Sequence, residues 1–155
     1  MTISGNQKRK MKSAARLYAV QALFQMEKSG QTAEQVITEF ENHRFGATYD
    51  GIELREGDSG TFRQLIKIAV NHQAAIDQLT DRALVAKWAI ARIDPTLRAL
   101  FRAAGAELTH FDTPPKVVIT EYVDMARAFS DDDQEIKFVN AVLDHMAHES
   151  HPDGL

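Results

Sequence analysis

Helical spacing of apolar side chains recurs along this whole chain and strand-like alternation persists nowhere, so a core can form only by packing helices together. The spacing predicts a first helix from about Lys12 to Ser29. Ala15, Ala19, Ala22, Leu23 and Met26 make one apolar stripe, and Gly30 supplies a stop. Thr32 with Gln35 forms a capping-box pattern that opens a second helix with Val36, Ile37 and Phe40 inward. From His43 to Gly60 the chain holds Gly46, Gly51, Gly57 and Gly60, which reads as a long loop.

A third helix is expected from about Thr61 to Thr80, with Phe62, Leu65, Ile66, Ala69, Ile76 and Leu79 at core spacing. A short helix around Leu84 to Ile93 would carry the single tryptophan, Trp88. Asp94-Pro95 is an N-cap and first-turn pair for a helix with Leu97, Leu100, Phe101, Ala104 and Leu108. Thr113-Pro114-Pro115 repeats that device ahead of Val118, Ile119, Tyr122, Val123 and Ala126. Asp131 to Asp133 would complement the positive end of a last helix that buries Ile136, Val139, Val142, Leu143 and Met146. The fold class is all-α, a bundle of about seven helices with no internal repeat.

Charge is placed unevenly. The net charge of −4 argues against nucleic acid, yet Lys8, Arg9, Lys10, Lys12 and Arg16 fall in the first 16 residues, which hold no Asp or Glu. The remaining 139 residues carry 13 basic and 22 acidic side chains, a net of −9. A basic terminus on an acidic body is the asymmetry of a local polyanion contact, although a solvated tail would look the same. No apolar run is long enough for a membrane span, and residues 1–12 do not form a secretory signal. The absence of cysteine excludes disulfides and thiolate-held zinc, and the reading is a cytoplasmic protein.

Catalytic signatures are missing. There is no phosphate-binding glycine loop, no Gly-x-Ser-x-Gly elbow and no His-Glu-x-x-His pair, so no enzyme, cofactor or metal is expected. His145, His148, Glu149 and His151 have ligand-like spacing, but histidines in a last helical turn favour the helix dipole and stay solvated. Asp131 to Asp133 lack the glycine and bidentate Glu of a calcium loop. The basic cluster is more informative. Lys8 to Lys10 would form a flexible arm, Lys12 and Arg16 would stack at i, i+4 on the first helix, and such cations neutralise phosphates without reading sequence. Base stacking needs an aromatic ring, and Lys137-Phe138-Val139-Asn140 offers one, with Phe138 either in the core or exposed as a stacking platform.

Three blocks carry a family resemblance. The first is Ala15-Arg16 through Ala19-Val20-Gln21-Ala22-Leu23-Phe24. The second runs from Trp88 through Arg92-Ile93 to Leu100-Phe101-Arg102-Ala103-Ala104 and Glu107-Leu108. The third is Pro114-Pro115, Lys116-Val117-Val118-Ile119-Thr120-Glu121, Ala126-Arg127-Ala128-Phe129 and Lys137-Phe138-Val139-Asn140-Ala141-Val142-Leu143-Asp144. Together they resemble the NusB family of bacterial transcription antitermination factors over about residues 8 to 148, with the middle loop unmatched. Thr120 stands where the family usually has Asn, and Ala141 where it usually has Gly; the latter change favours the helix.

The resemblance implies two three-helix subdomains and an additional short helix in one unit over 1–155. The parts would be a basic arm over about 1–11, subdomains over about 12–80 and 81–148, and a polar tail over 149–155. It implies pairing with the ribosomal protein that doubles as NusE, and joint binding of the boxA element in ribosomal RNA leaders, within the RNA polymerase antitermination complex. Lys8, Arg9, Lys10, Lys12 and Arg16 would then contact phosphates, with Lys137 and Phe138 nearby. Phe24, Leu97 and Arg98 would belong to the partner-protein face, although Leu97 lies where relatives can carry an acid. An exposed apolar face would serve the partner or a homodimer. The competing readings are a protein-only interaction module, a helix-turn-helix DNA reader without the required recognition helix, and an RNA methylase, for whose cofactor-binding sheet the chain is expected to leave no room.

Overall fold

The computed structural model describes residues 4–45, 48–49, 52–53, 57–87 and 93–154. Seven α-helices are found among them: α1 (Gly5–Ser29), α2 (Ala33–His43), α3 (Ser59–Asn71), α4 (Gln73–Lys87), α5 (Pro95–His110), α6 (Pro115–Phe129) and α7 (Asp133–Ser150). A two-residue antiparallel pair, β1 (Thr48–Tyr49) with β2 (Ile52–Glu53), sits inside the segment read as a loop, with Thr48 opposite Glu53 and Tyr49 opposite Ile52. Among the described residues the chain is therefore all-α apart from this minimal ladder.

Local chemistry sets the helix boundaries. Thr32 and Gln35 form the expected capping box, Asp94 caps Leu97 ahead of Pro95, and Gly30 ends α1 at φ 73°, a conformation glycine adopts without a Cβ penalty. Asp132 caps α7 through the Gln134 amide, with Asp133 and Glu135 in the first turn. Two expectations fail at helix starts. Helix α1 begins at Gly5, not Lys12, because Ser4 and Gln7 make a second capping box; Lys8 to Lys10 are helical and not a flexible arm. At α6 the N-cap is Pro114, with no side-chain cap, so Thr113 does not repeat the Asp94 device.

The long third helix is broken. Helix α3 ends at Asn71 with His72 as its cap, and α4 starts at Gln73. Periodicity runs straight across this break, since Ala69 and Ile76 lie two turns apart in phase, so pattern alone does not register it. Packing does. Both helices pack on α5, but α3 otherwise lies on α1 and α2, whereas α4 turns away to pack on α7. Helix α4 then continues through Leu84 to Lys87, so no separate helix starts at Leu84, and Trp88 falls outside the described residues.

Helix α5 runs through the centre and packs on α1, α3, α4, α6 and α7. Ten of its sixteen residues are buried, five of them Ala or Gly, and such small side chains let neighbouring helices approach closely. The tightest approach is at Gly105, where an added Cβ would stand 2.6 Å from Ile76 Cγ2 on α4. Gly105→Ala is therefore expected to destabilise the fold by about 1–3 kcal/mol despite alanine's better helix propensity. Denaturant unfolding checks this, and a stabilised variant would contradict the α4–α5 contact.

Candidate nucleic-acid interface

On α1 the cationic residues run from solvent into the core along one face. At about 100° per residue, Lys8, Arg9, Lys12 and Arg16 fall within one side of the helix, while Lys10 points away from them. Lys8, Arg9, Lys10 and Lys12 are exposed, and Lys8 to Lys12 spans one turn, a rise of about 6 Å.

Arg16 departs from its expected role. It is 5% exposed, and its Nε and Nη2 bind the Glu107 carboxylate of α5 at 2.8–3.1 Å. Its Nη1 meets Glu121 of α6 at 3.1 Å. Glu107, 1% exposed, also accepts the Tyr122 hydroxyl at 3.0 Å, and Glu121 accepts Ser13 Oγ at 3.0 Å. Burial lowers the Arg16 pKa, but hydrogen bonding and charge from Glu107 outweigh it, so the guanidinium stays charged. Burial and then the Glu107 charge push the Tyr122 phenol well above its ordinary value, keeping it a donor. In this arrangement Arg16 is a strut between α1, α5 and α6 and is not open to a phosphate.

On the other side, α6 joins α1 to α7: Glu121 bonds to α1, and the helix packs on α7. Lys137 is exposed on α7, whereas Phe138 is partly buried and packs on the core. Helix α6 adds exposed Lys116, Val117 and Thr120, which the sequence alone did not assign to a site. Their signal was available, because Val118 and Tyr122 inward force residues 116, 117 and 120 outward.

The expected partner residues separate. Phe24 is half-buried and lines a groove of about 410 Å³ with Lys28, Arg44, Thr96 and Phe129. Leu97 does not face outward: it is 6% exposed in the core, because the Asp94 cap sets the α5 register that turns Thr96 to the groove and Leu97 inward. Arg98 pairs with Asp81 of α4 at 3.1 Å. The C-terminal histidines have other engagements: His148 Nδ1 donates to the Asp144 carbonyl at 2.8 Å, and His151 Nε2 donates to the Leu108 carbonyl at 2.6 Å. Glu149 pairs with Arg82 at 2.6 Å.

Removing Arg16 would strand a buried carboxylate. Arg16→Met is expected to lower stability by about 3–5 kcal/mol, and Arg16→Met with Glu107→Leu by less, since the pair's desolvation is then relieved. Denaturant unfolding of the single and double variants reads this. A stable Arg16→Met protein with weakened RNA binding would instead return Arg16 to the interface.

Comparison with known proteins agrees with this architecture. A model described as the NusB family matches residues 13–148. The chain is 45% identical over 137 residues to the transcription antitermination protein NusB of Rhizobium leguminosarum bv. trifolii, covering 88% of this chain and 85% of that one. To the protein of the same name from Maricaulis maris it is 44% identical over 145 residues, covering 93% and 90%. Among solved structures, T. maritima NusB superposes with a TM-score of 0.69 at 27% identity, covering 96% of this chain and 94% of that one. A crystal structure of antitermination factors NusB and NusE in complex with dsRNA gives 0.69 at 23% identity over 88% and 96%, a likeness of fold.

Proposed function

The chain belongs to the NusB family, and from that membership we propose that it is an antitermination factor that binds the boxA element of ribosomal RNA leaders jointly with the ribosomal protein NusE. The observation that carries the RNA half is the α1 row, in which exposed Lys8, Arg9 and Lys12 share one side of an ordered helix, with exposed Lys10 beside them on another side, while the remainder of the chain is acidic. Lys137 adds a cation on α7, and Lys116 a second on α6, the helix tied to α1 through Glu121. The work is binding, not catalysis. It would be done in the cytoplasm as part of the RNA polymerase antitermination complex; among the described residues no helix is long and apolar enough to cross a membrane.

A small cationic row offers few sites to phosphates, so RNA affinity of the chain alone should be modest and salt-sensitive. Shared binding by a second protein would raise affinity and specificity together. Support for a protein partner comes from the groove beside Phe24, on a stretch of α1 distant from the cationic row. A bias toward protein partners alone, with an inert α1 row, is the alternative.

Labelled boxA-type RNA titrated with and without the NusE-type ribosomal protein tests the reading. Tighter RNA binding is expected with both proteins. Changing Lys8, Arg9, Lys10 and Lys12 to Gln should weaken it and flatten the log–log salt dependence by about 0.7 for each phosphate no longer neutralised. An unchanged slope would remove the α1 row from the interface, and equal affinity with and without the second protein would remove the joint mechanism.

A further inference from the structure

Two carboxylates share the Arg16 guanidinium, and they are not equivalent. Glu107 is enclosed, and it accepts from Arg16 Nε and Nη2 and from the Tyr122 hydroxyl. Glu121 keeps its side chain 29% exposed and meets Arg16 Nη1 at 3.1 Å through Oε1. Ser13 Oγ adds one proton shared between the two Glu121 oxygens, at 3.0 and 3.1 Å. A carboxylate offers about four acceptor positions, so Glu121 retains open ones, chiefly on Oε2. Charge is left over as well, because one guanidinium between two carboxylates leaves a net negative charge at the seam of α1 and α6. That charge lies beside the cationic row: Ser13 follows exposed Lys12 on α1 and stands one turn past exposed Arg9. Among the described residues, Glu121 takes no ion pair from Arg9, Lys12 or Lys116. Placed among phosphate contacts, a carboxylate weakens binding to every polyanion alike, whereas it favours a base that presents an N–H. Val117 lies one turn before Glu121 on α6, hence on the same face, and is 43% exposed.

We propose that Glu121 is a base-reading residue: its open oxygen accepts the exocyclic amino group of one unpaired base in single-stranded RNA, and Val117 packs against the face of that base. The inference rests on the reading that the chain binds RNA at the α1 row. It supplies the sequence selectivity that cations on phosphates do not carry. Arg16 and Ser13 are positioning residues, holding the carboxylate from the protein side so that it is ordered before RNA arrives. Single strands expose the base edges that such a group reads. Cytosine, adenine and guanine each carry an exocyclic amino group. Uracil carries carbonyl oxygens instead, and the carboxylate repels them.

The test uses the full chain with the NusE-type ribosomal protein present throughout, titrated against labelled boxA-type RNA and against a scrambled RNA of the same composition. Glu121→Gln removes the charge but keeps the side chain's length and one oxygen for Arg16. It should weaken binding of the boxA-type RNA by about fivefold or more and tighten binding of the scrambled RNA by about twofold. Lys12→Gln, by contrast, should weaken both RNAs alike. Exchanging each cytidine, adenosine and guanosine in turn for an analogue without the amino group should find one position that costs the wild type about fivefold or more. In Glu121→Gln that cost should vanish. Glu121→Asp, which withdraws the carboxylate by one methylene, should lose the same discrimination, and it carries the test if thermal unfolding shows the Gln variant to be unfolded. If Glu121→Gln shifts both RNAs by the same factor, or every amino-group cost survives in it, Glu121 reads no base and the inference falls alone. If the wild type binds boxA-type and scrambled RNA equally, the boxA reading falls and takes the inference with it.

Discussion

A guanidinium that has left water must be answered, and the arrangement of α1, α5 and α6 depends on how Arg16 is answered. Two of its nitrogens occupy Glu107, a third reaches Glu121, and Tyr122 and Ser13 take up further acceptor positions on the two carboxylates. No buried side-chain polar atom among the described residues is left without a partner. A fully satisfied buried network fixes register more than it adds stability, because sliding any of the three helices by a turn would strand a charge. The apolar packing around it is compatible with more arrangements than this one.

Sequence periodicity revealed the helices with a direct chemical stop or start. Gly30, the Thr32–Gln35 box and the Asp94–Pro95 pair act through neighbours in the chain, so their effects are local and readable. The α3–α4 break was not readable, because the apolar phase continues through His72 and only packing on different helices separates the two. Nor was the start of α1, where a basic, polar stretch looks like a tail until Ser4 and Gln7 are recognised as a reciprocal cap. Among the candidate site residues, Arg16 and Leu97 were misjudged for one reason. Charge type and motif position say which residues matter, but burial depends on partners 91 residues distant for Arg16 and on a one-residue register in α5 for Leu97.

Unpaired cations mark both surfaces, although the chain as a whole is acidic. Elsewhere among the described residues the arginines are matched to carboxylates, as Arg102 is to Asp77 and Glu27, tying α5 to α4 and α1. Those ties neutralise the body and rigidify it. Among the described residues, charges left over at the opening of α1, at Lys116 and Lys137, and around Phe24 are available to other molecules, and electrostatic attraction acts at those places.

The opening of α1 and Phe24 belong to the same helix. Phe24 lies twelve residues after Lys12 on uninterrupted α1, a rise of about 18 Å, and the helix is clamped between them by Arg16. Helix α1 thus serves as a ruler. Whatever is seated at one end is held at a fixed offset and a fixed rotation from whatever is seated at the other, and the two ligands must match that spacing to touch each other.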